Sequence, residues 1–221
     1  MPILRNVVDL QKFNPAATFP FELRREDFQM AMQDVYDFFS DVNSGLLGKG
    51  LQRLDDMLRP AIMSGVLSDM LTASLAKHSR TLTENGYFNG HPDLIVRGVY
   101  AKDAIKAGTE GVEIKTTRKS GGAVDTHGAR NQWMGVFVYD IDNESEPAAA
   151  RRPLTFTEVY LGKVEVSDFR KNARGELGTR TATLHKDGIR KLRECWVYRA
   201  AAPTLMRKAA SLGKALRATS K

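Results

Sequence analysis

Between Arg24 and Val42, the apolar residues Phe28, Met32, Val35, Phe38, Phe39 and Val42 recur at helical spacing and form a single stripe. Acidic residues (Glu26, Asp27, Asp34, Asp37, Asp41) occupy the remaining faces, and Asn43, Gly45 and Gly48 are expected to end the helix. A second helical region is expected over 51–80, interrupted or kinked at Pro60, with Met63, Val66, Leu67, Met70, Leu71, Ser74 and Leu75 on its inner face. Beyond residue 84 the pattern changes. Glycine and Asn-Gly pairs punctuate short apolar runs, which predict strands at 93–96 and 112–117. Residues 132–140 have an apolar centre that suits a buried strand or the end of a helix running into one, a strand pair is expected near 154–160 and 163–166, a short helix at 184–194 and a closing strand at 195–198.

Helices followed by a mixed strand region point to an α/β or α+β chain. The expected division is an N-terminal helical region (1–84) packed on a core (85–202), followed by a basic tail (203–221). The chain has 221 residues, 42% hydrophobic and 27% charged, enough to bury a core without metal or disulfide support. Its single cysteine, Cys195, rules out an internal disulfide and suits a reducing cytoplasm. No secretory leader and no membrane span are expected from the sequence.

The formal net charge is +7, which favours a polyanionic partner because neutralising each phosphate releases a counterion. Residues 168–193 hold eight basic against three acidic side chains, and the tail from 203 holds five basic residues and no acid. A phosphate-contacting surface is expected at 168–193, with Arg170, Lys171, Arg174 and Arg180 as contacts. The tail reads equally well as a frayed terminus.

The chemistry is concentrated in His91-Pro92-Asp93 and in Gly111-Val112-Glu113-Ile114-Lys115. On a strand alternate side chains share a face, so Glu113 and Lys115 point together while Val112, Ile114 and Thr116 turn towards the core. If the Asp93 strand pairs with this one, two carboxylates and the Ile114 carbonyl form an open oxygen cage of the kind Mg²⁺ prefers. Lys115 then offsets negative charge or helps to activate water for phosphodiester hydrolysis.

Pro92-Asp93 followed by Glu113-x-Lys115 resembles the signature of the PD-(D/E)XK nuclease superfamily, which includes most type II restriction endonucleases. The resemblance covers roughly residues 91–139. It implies an α/β fold with a mixed central β-sheet flanked by helices, a restriction-endonuclease-like core, with Asp93 and Glu113 as Mg²⁺ ligands and Lys115 as the catalytic partner. Gln132 is similar to the downstream glutamine that supports the site in many members. Asp69 is the candidate for the acidic residue that members often add from a preceding helix, although it lies opposite the apolar stripe of its own helix.

Beside this reading stand simpler ones. Glu-x-Lys also occurs as a solvated surface pair, and His91 and His127 lack ligand partners at close spacing, so each is expected to make a loop hydrogen bond. Residues 117–130 read either as a surface loop or as a DNA-contacting segment, with Arg118, Lys119, His127, Arg130 and Asn131 on phosphates or base edges. The expected function is a Mg²⁺-dependent endodeoxyribonuclease acting on double-stranded DNA as a homodimer, with the N-terminal helices as dimerisation or bracing element. The alternatives are a structure-guided repair or recombination nuclease, a non-catalytic DNA-binding protein and an enzyme acting on a small phosphorylated molecule.

Overall fold

The computed structural model describes residues 4–119, 125–126, 128–171 and 181–200. The first long helix, α1 (Arg25–Gly48), buries Phe28, Ala31, Met32, Val35, Tyr36 and Phe39. Phe38, expected in that stripe, is exposed on its flank. Asn43 and Gly45 lie inside the helix, and Gly48, also expected to end it, is its last residue. Just beyond, Gly50 takes a left-handed φ of 72°, with Gly50 N–H on the Leu47 carbonyl and Leu51 N–H on the Leu46 carbonyl. That conformation costs glycine little, and the two bonds occupy carbonyls that the helix end leaves open. Asn43 is buried and serves the next segment, its Oδ1 accepting from Leu54 N at 2.7 Å.

The region 51–80 is two helices, α2 (Leu54–Met57) and α3 (Pro60–His78). Pro60 opens α3 rather than kinking it, because at the first helical position its missing N–H has no partner to lose. Met63, Leu67, Leu71, Ser74 and Leu75 form the buried face of α3, with Val66 and Met70 packed at its margin.

The main sheet has six strands in the order β1 (Leu82–Glu84), β2 (Leu94–Val96), β3 (Gly111–Thr117), β5 (Gln132–Asp140), β6 (Thr155–Val164) and β9 (Trp196–Arg199). All neighbours are antiparallel except β3 and β5, which run parallel. A parallel pair needs a crossover, and the connection between them contributes β4 (Asp125–Thr126) to a second sheet. That sheet orders β4 beside β8 (Ala182–Leu184) and β7 (Phe169–Lys171). Helix α4 (Lys186–Glu194) follows β8. The expected strand pair at 154–166 is one continuous strand, β6, laddered to β5 along its length with one irregularity near Val138. The described residues thus form a mixed α/β structure with four α-helices and a six-stranded mixed sheet.

Each face of the main sheet carries its own core. Val112, Ile114, Phe137, Tyr139, Phe156 and Val159 pack against α1 and α3. Met134, Val136, Val138, Tyr160 and Val164 pack against Phe169, Ala182, Leu184 and Leu192 of the small sheet and α4. The apolar stripes of α1 and α3 are therefore buried within the protomer, as bracing for the sheet. Among the described residues no helix is long and apolar enough to cross a membrane.

Candidate metal centre

The edge of the second face holds the polar site. In the β3–β5 register Glu113 lies beside Met134 and Lys115 beside Val136. Glu113 and Lys115 therefore share the face of Met134 and Val136, while Val112 and Ile114 enter the core under α3. Leu94 pairs with Val112 across the antiparallel β2–β3 ladder, which sets Asp93 next to Glu113. Gly111 makes that close approach possible. A Cβ there would fall 1.9 Å from the Leu94 carbonyl oxygen and 2.7 Å from Pro92 Cγ. Any side chain at 111 would drive β3 away from the strand that carries Asp93.

The three residues expected to converge do so. Lys115 Nζ lies 2.5 Å from Glu113 Oε1 and 3.5 Å from Asp93 Oδ2. Asp93 Oδ2 also accepts from Ile114 N at 2.7 Å, which locks the carboxylate to the β3 backbone. Lys115 Nζ donates to the Ile114 carbonyl at 3.1 Å, so the backbone oxygen expected as a ligand faces the same ammonium. Glu113 is the floor of the site, 1% exposed, whereas the side chains of Lys115 and Asp93 keep 20% and 28% of their surface. The partial exposure of Lys115 and Asp93 leaves the site open to solvent.

His91 completes the group. Its Nδ1 stands 3.2 Å from Glu113 Oε2, and ligand atoms of His91, Asp93 and Glu113 lie within 4.8 Å of one another. The His91 backbone is held on both sides: its N–H donates to the Lys106 carbonyl at 3.1 Å and its carbonyl accepts from Gly108 N at 2.7 Å. The expectation of a simple loop hydrogen bond for this histidine gives way to a place in the site. No local spacing marks it, since its contact with Glu113 forms only in the folded chain.

The electrostatics separate the two carboxylates. Burial pushes Glu113 up, but the His91 hydrogen bond and the Lys115 charge outweigh it and hold the carboxyl down at about 2. Asp93 moves the other way. Its burial and the Glu113 charge raise it, against the pull of Lys115 and the Ile114 hydrogen bond. Burial lowers Lys115, yet Glu113 and Asp93 more than offset that and raise it, so the ammonium keeps its proton.

The other sequence candidates fall in different places. Gln132 begins β5 on the same sheet face as Glu113, buried, with Nε2 lacking a hydrogen-bond partner. Asp69 is exposed on α3, a helix bonded to the opposite face of β3 through the Thr116 hydroxyl and the Ser64 carbonyl at 2.7 Å. It does not enter the cluster. Arg118 and Lys119 are exposed just past β3, the Arg118 guanidinium donating to the Ile141 carbonyl at 2.9 Å. Arg130 is half-buried with Nη1 unpartnered, and Asn131 is exposed with Oδ1 accepting from Val166 N at 2.9 Å. Arg170 is exposed on β7, where Lys171 also lies. His127, Arg174 and Arg180 lie outside the described residues.

The donor set suits a divalent cation: two carboxylates and an imidazole, a buried Glu113 oxygen (Oε1) without a hydrogen bond of good geometry, and solvent access. No protein-family model matches the chain, and no curated protein or solved structure matches it.

Proposed function

We propose that this chain is a Mg²⁺-dependent endodeoxyribonuclease of the PD-(D/E)XK superfamily, of the type II restriction class, acting on double-stranded DNA as a homodimer. The observation that carries the reading is the convergence of Asp93, Glu113 and Lys115 from two paired strands onto one half-open site. A mixed sheet in which the Asp93 strand pairs antiparallel with the Glu113-x-Lys115 strand, itself parallel to β5, supports a restriction-endonuclease-like core.

Asp93 and Glu113 would hold the ion, which when bound polarises the scissile phosphate and makes water a competent nucleophile. Glu113 is ionised across the whole neutral range, as a ligand must be. Lys115, with its proton held by both carboxylates, acts as a cation that stabilises charge accumulating on the phosphate, rather than as the base. Gln132 brings an unpartnered amide to the same face as a positioning group. Arg118, Lys119 and Arg170 offer exposed cations for the DNA backbone, with Arg130 and Asn131 ahead of β5.

Digestion of supercoiled plasmid with Mg²⁺ tests this reading. Discrete fragments that disappear with Lys115→Ala support it. A smear points to a nuclease that reads structure rather than sequence, and DNA binding without cleavage at any divalent ion overturns the enzyme reading.

A further inference from the structure

We infer that His91 is a nitrogen ligand of the metal centre, so that the site ranks first-row transition ions such as Co²⁺ and Mn²⁺ above Mg²⁺. This rests on the metal-centre reading and specifies which ions that centre takes. Two ligand atoms adjacent on an octahedral ion, each about 2.1 Å from it, lie about 3.0 Å apart. His91 Nδ1 and Glu113 Oε2 are 3.2 Å apart, and a ligand oxygen of Asp93 falls within the same 4.8 Å cluster. Lys115 does not compete for this position, because its ammonium faces the other glutamate oxygen, Oε1. The ring is anchored through its own backbone at Lys106 and Gly108, so ligation needs little reorganisation. Nδ1–H donates to Glu113 Oε2; ligation would take the Nε2–H tautomer, whose Nδ1 lone pair faces the same position.

A purely carboxylate and carbonyl cage favours hard ions, whereas imidazole adds affinity for the later first-row metals and almost none for Mg²⁺. His91 can instead serve only to orient Glu113, and substitution separates the two roles. Asparagine carries an amide nitrogen near the place of Nδ1, so His91→Asn keeps a donor to Glu113 and removes the nitrogen ligand. His91→Ala removes both.

The experiment is calorimetric titration of the full chain with Co²⁺ and with Mg²⁺, separately and without DNA, for wild type and both variants. Pulsed electron paramagnetic resonance of the Mn²⁺-loaded protein accompanies it, and thermal melting confirms that each variant is folded. Wild type is expected to bind Co²⁺ at least tenfold more tightly than Mg²⁺ and to show ¹⁴N coupling to Mn²⁺. His91→Asn should lose that coupling and about tenfold or more in Co²⁺ affinity, the scale on which groups around a metal act, with Mg²⁺ affinity kept within about threefold. If His91→Asn retains Co²⁺ affinity and wild type shows no ¹⁴N coupling, His91 is an orienting group and the inference fails while the metal centre stands. If wild type binds none of the three ions, the metal-centre reading itself fails.

Discussion

Replacing Lys115 by methionine removes the one cation from a site that holds two carboxylates, while keeping most of the side-chain volume. Its ammonium sits 2.5 Å from Glu113 Oε1 and 3.5 Å from Asp93 Oδ2. Breaking a fully buried ion pair from one side costs about 3–5 kcal/mol. Lys115 and Asp93 retain 20% and 28% of their side-chain surface, and Asp93, already raised, takes up a proton to relieve the repulsion. We therefore expect a loss of about 1–3 kcal/mol in EDTA, at roughly 2–4 °C in Tm per kcal/mol for a chain of this size. Divalent ion should reverse the loss, because binding at one hundred times Kd adds about 2.7 kcal/mol to folding. At a fixed ion concentration Lys115→Met should gain more than wild type, having shed a like charge from the cage. Cleavage should nonetheless fall by about 10²-fold or more, as when a group that stabilises transition-state charge is lost. Denaturant melts with and without Mg²⁺, together with a plasmid digest, measure all three quantities. A variant that cleaves within tenfold of wild type, or that Mg²⁺ stabilises less than wild type, refutes the shared-cage argument.

Three further outcomes follow from the packing and the loops. Gly111→Ala places a methyl group against the Leu94 carbonyl and Pro92, and should destabilise the chain by about 1–3 kcal/mol while cutting metal affinity, read by melting and calorimetry; an unchanged affinity would detach Asp93 from the site. Arg53 and Asp55 form a buried ion pair to which Asn43 also donates, so Arg53→Met alone should cost about 3–5 kcal/mol in urea unfolding, with Asp55→Leu added recovering much of it. Burial raises Asp142, but backbone donation from Arg152, Ser145 and Glu144 outweighs it and holds the carboxyl below its ordinary range. A depressed folded value means stability that is complete above the unfolded value of about 3.9 and is lost as pH falls through the folded one. Asp142→Asn should therefore lower Tm at pH 7 and flatten its fall below about pH 4, and parallel curves for the two proteins would show that this loop does not govern acid unfolding.

Local chemistry in the sequence was enough to find the centre of the site but not its rim. Glu113 and Lys115 were legible because strand alternation is a two-residue rule, and Asp93 because the Gly-bearing connection to β3 predicts a neighbouring strand. His91 was passed over because what defines it, the contact with Glu113 and the backbone ties to Lys106 and Gly108, is made only when the connection folds back. Gly162 illustrates a different limit. The sequence suggests two strands, at 154–160 and 163–166, yet Gly162 lies within the single strand β6, where a Cβ would meet Leu192 Cδ1 at 3.1 Å and Cys195 Sγ at 3.2 Å. The glycine marks the seat of α4 on the sheet, which no local pattern reports. The small sheet of β4, β7 and β8 escaped notice for a related reason: its strands are two or three residues long and carry too few alternations to register.

The charge arrangement imposes an order on what the site can accept. Two carboxylates face one ammonium, so a phosphodiester approaching the metal-free site meets an excess of negative charge despite the chain's net +7. Burial first and the Glu113 charge after it raise the Asp93 carboxyl, against the pull of Lys115. On the proposed reading, a divalent ion held by Asp93 and Glu113 would reverse the balance by favouring the ionised form of Asp93 and leaving Lys115 to face the phosphate. The exposed Arg118, Lys119 and Arg170 would then attract DNA without an ion but would not cancel charge inside the cage. Metal and DNA should therefore bind with positive coupling, each raising the affinity of the other by the same factor. That factor should shrink when Glu113 or Asp93 is made neutral, because the repulsion that the ion relieves is then already gone.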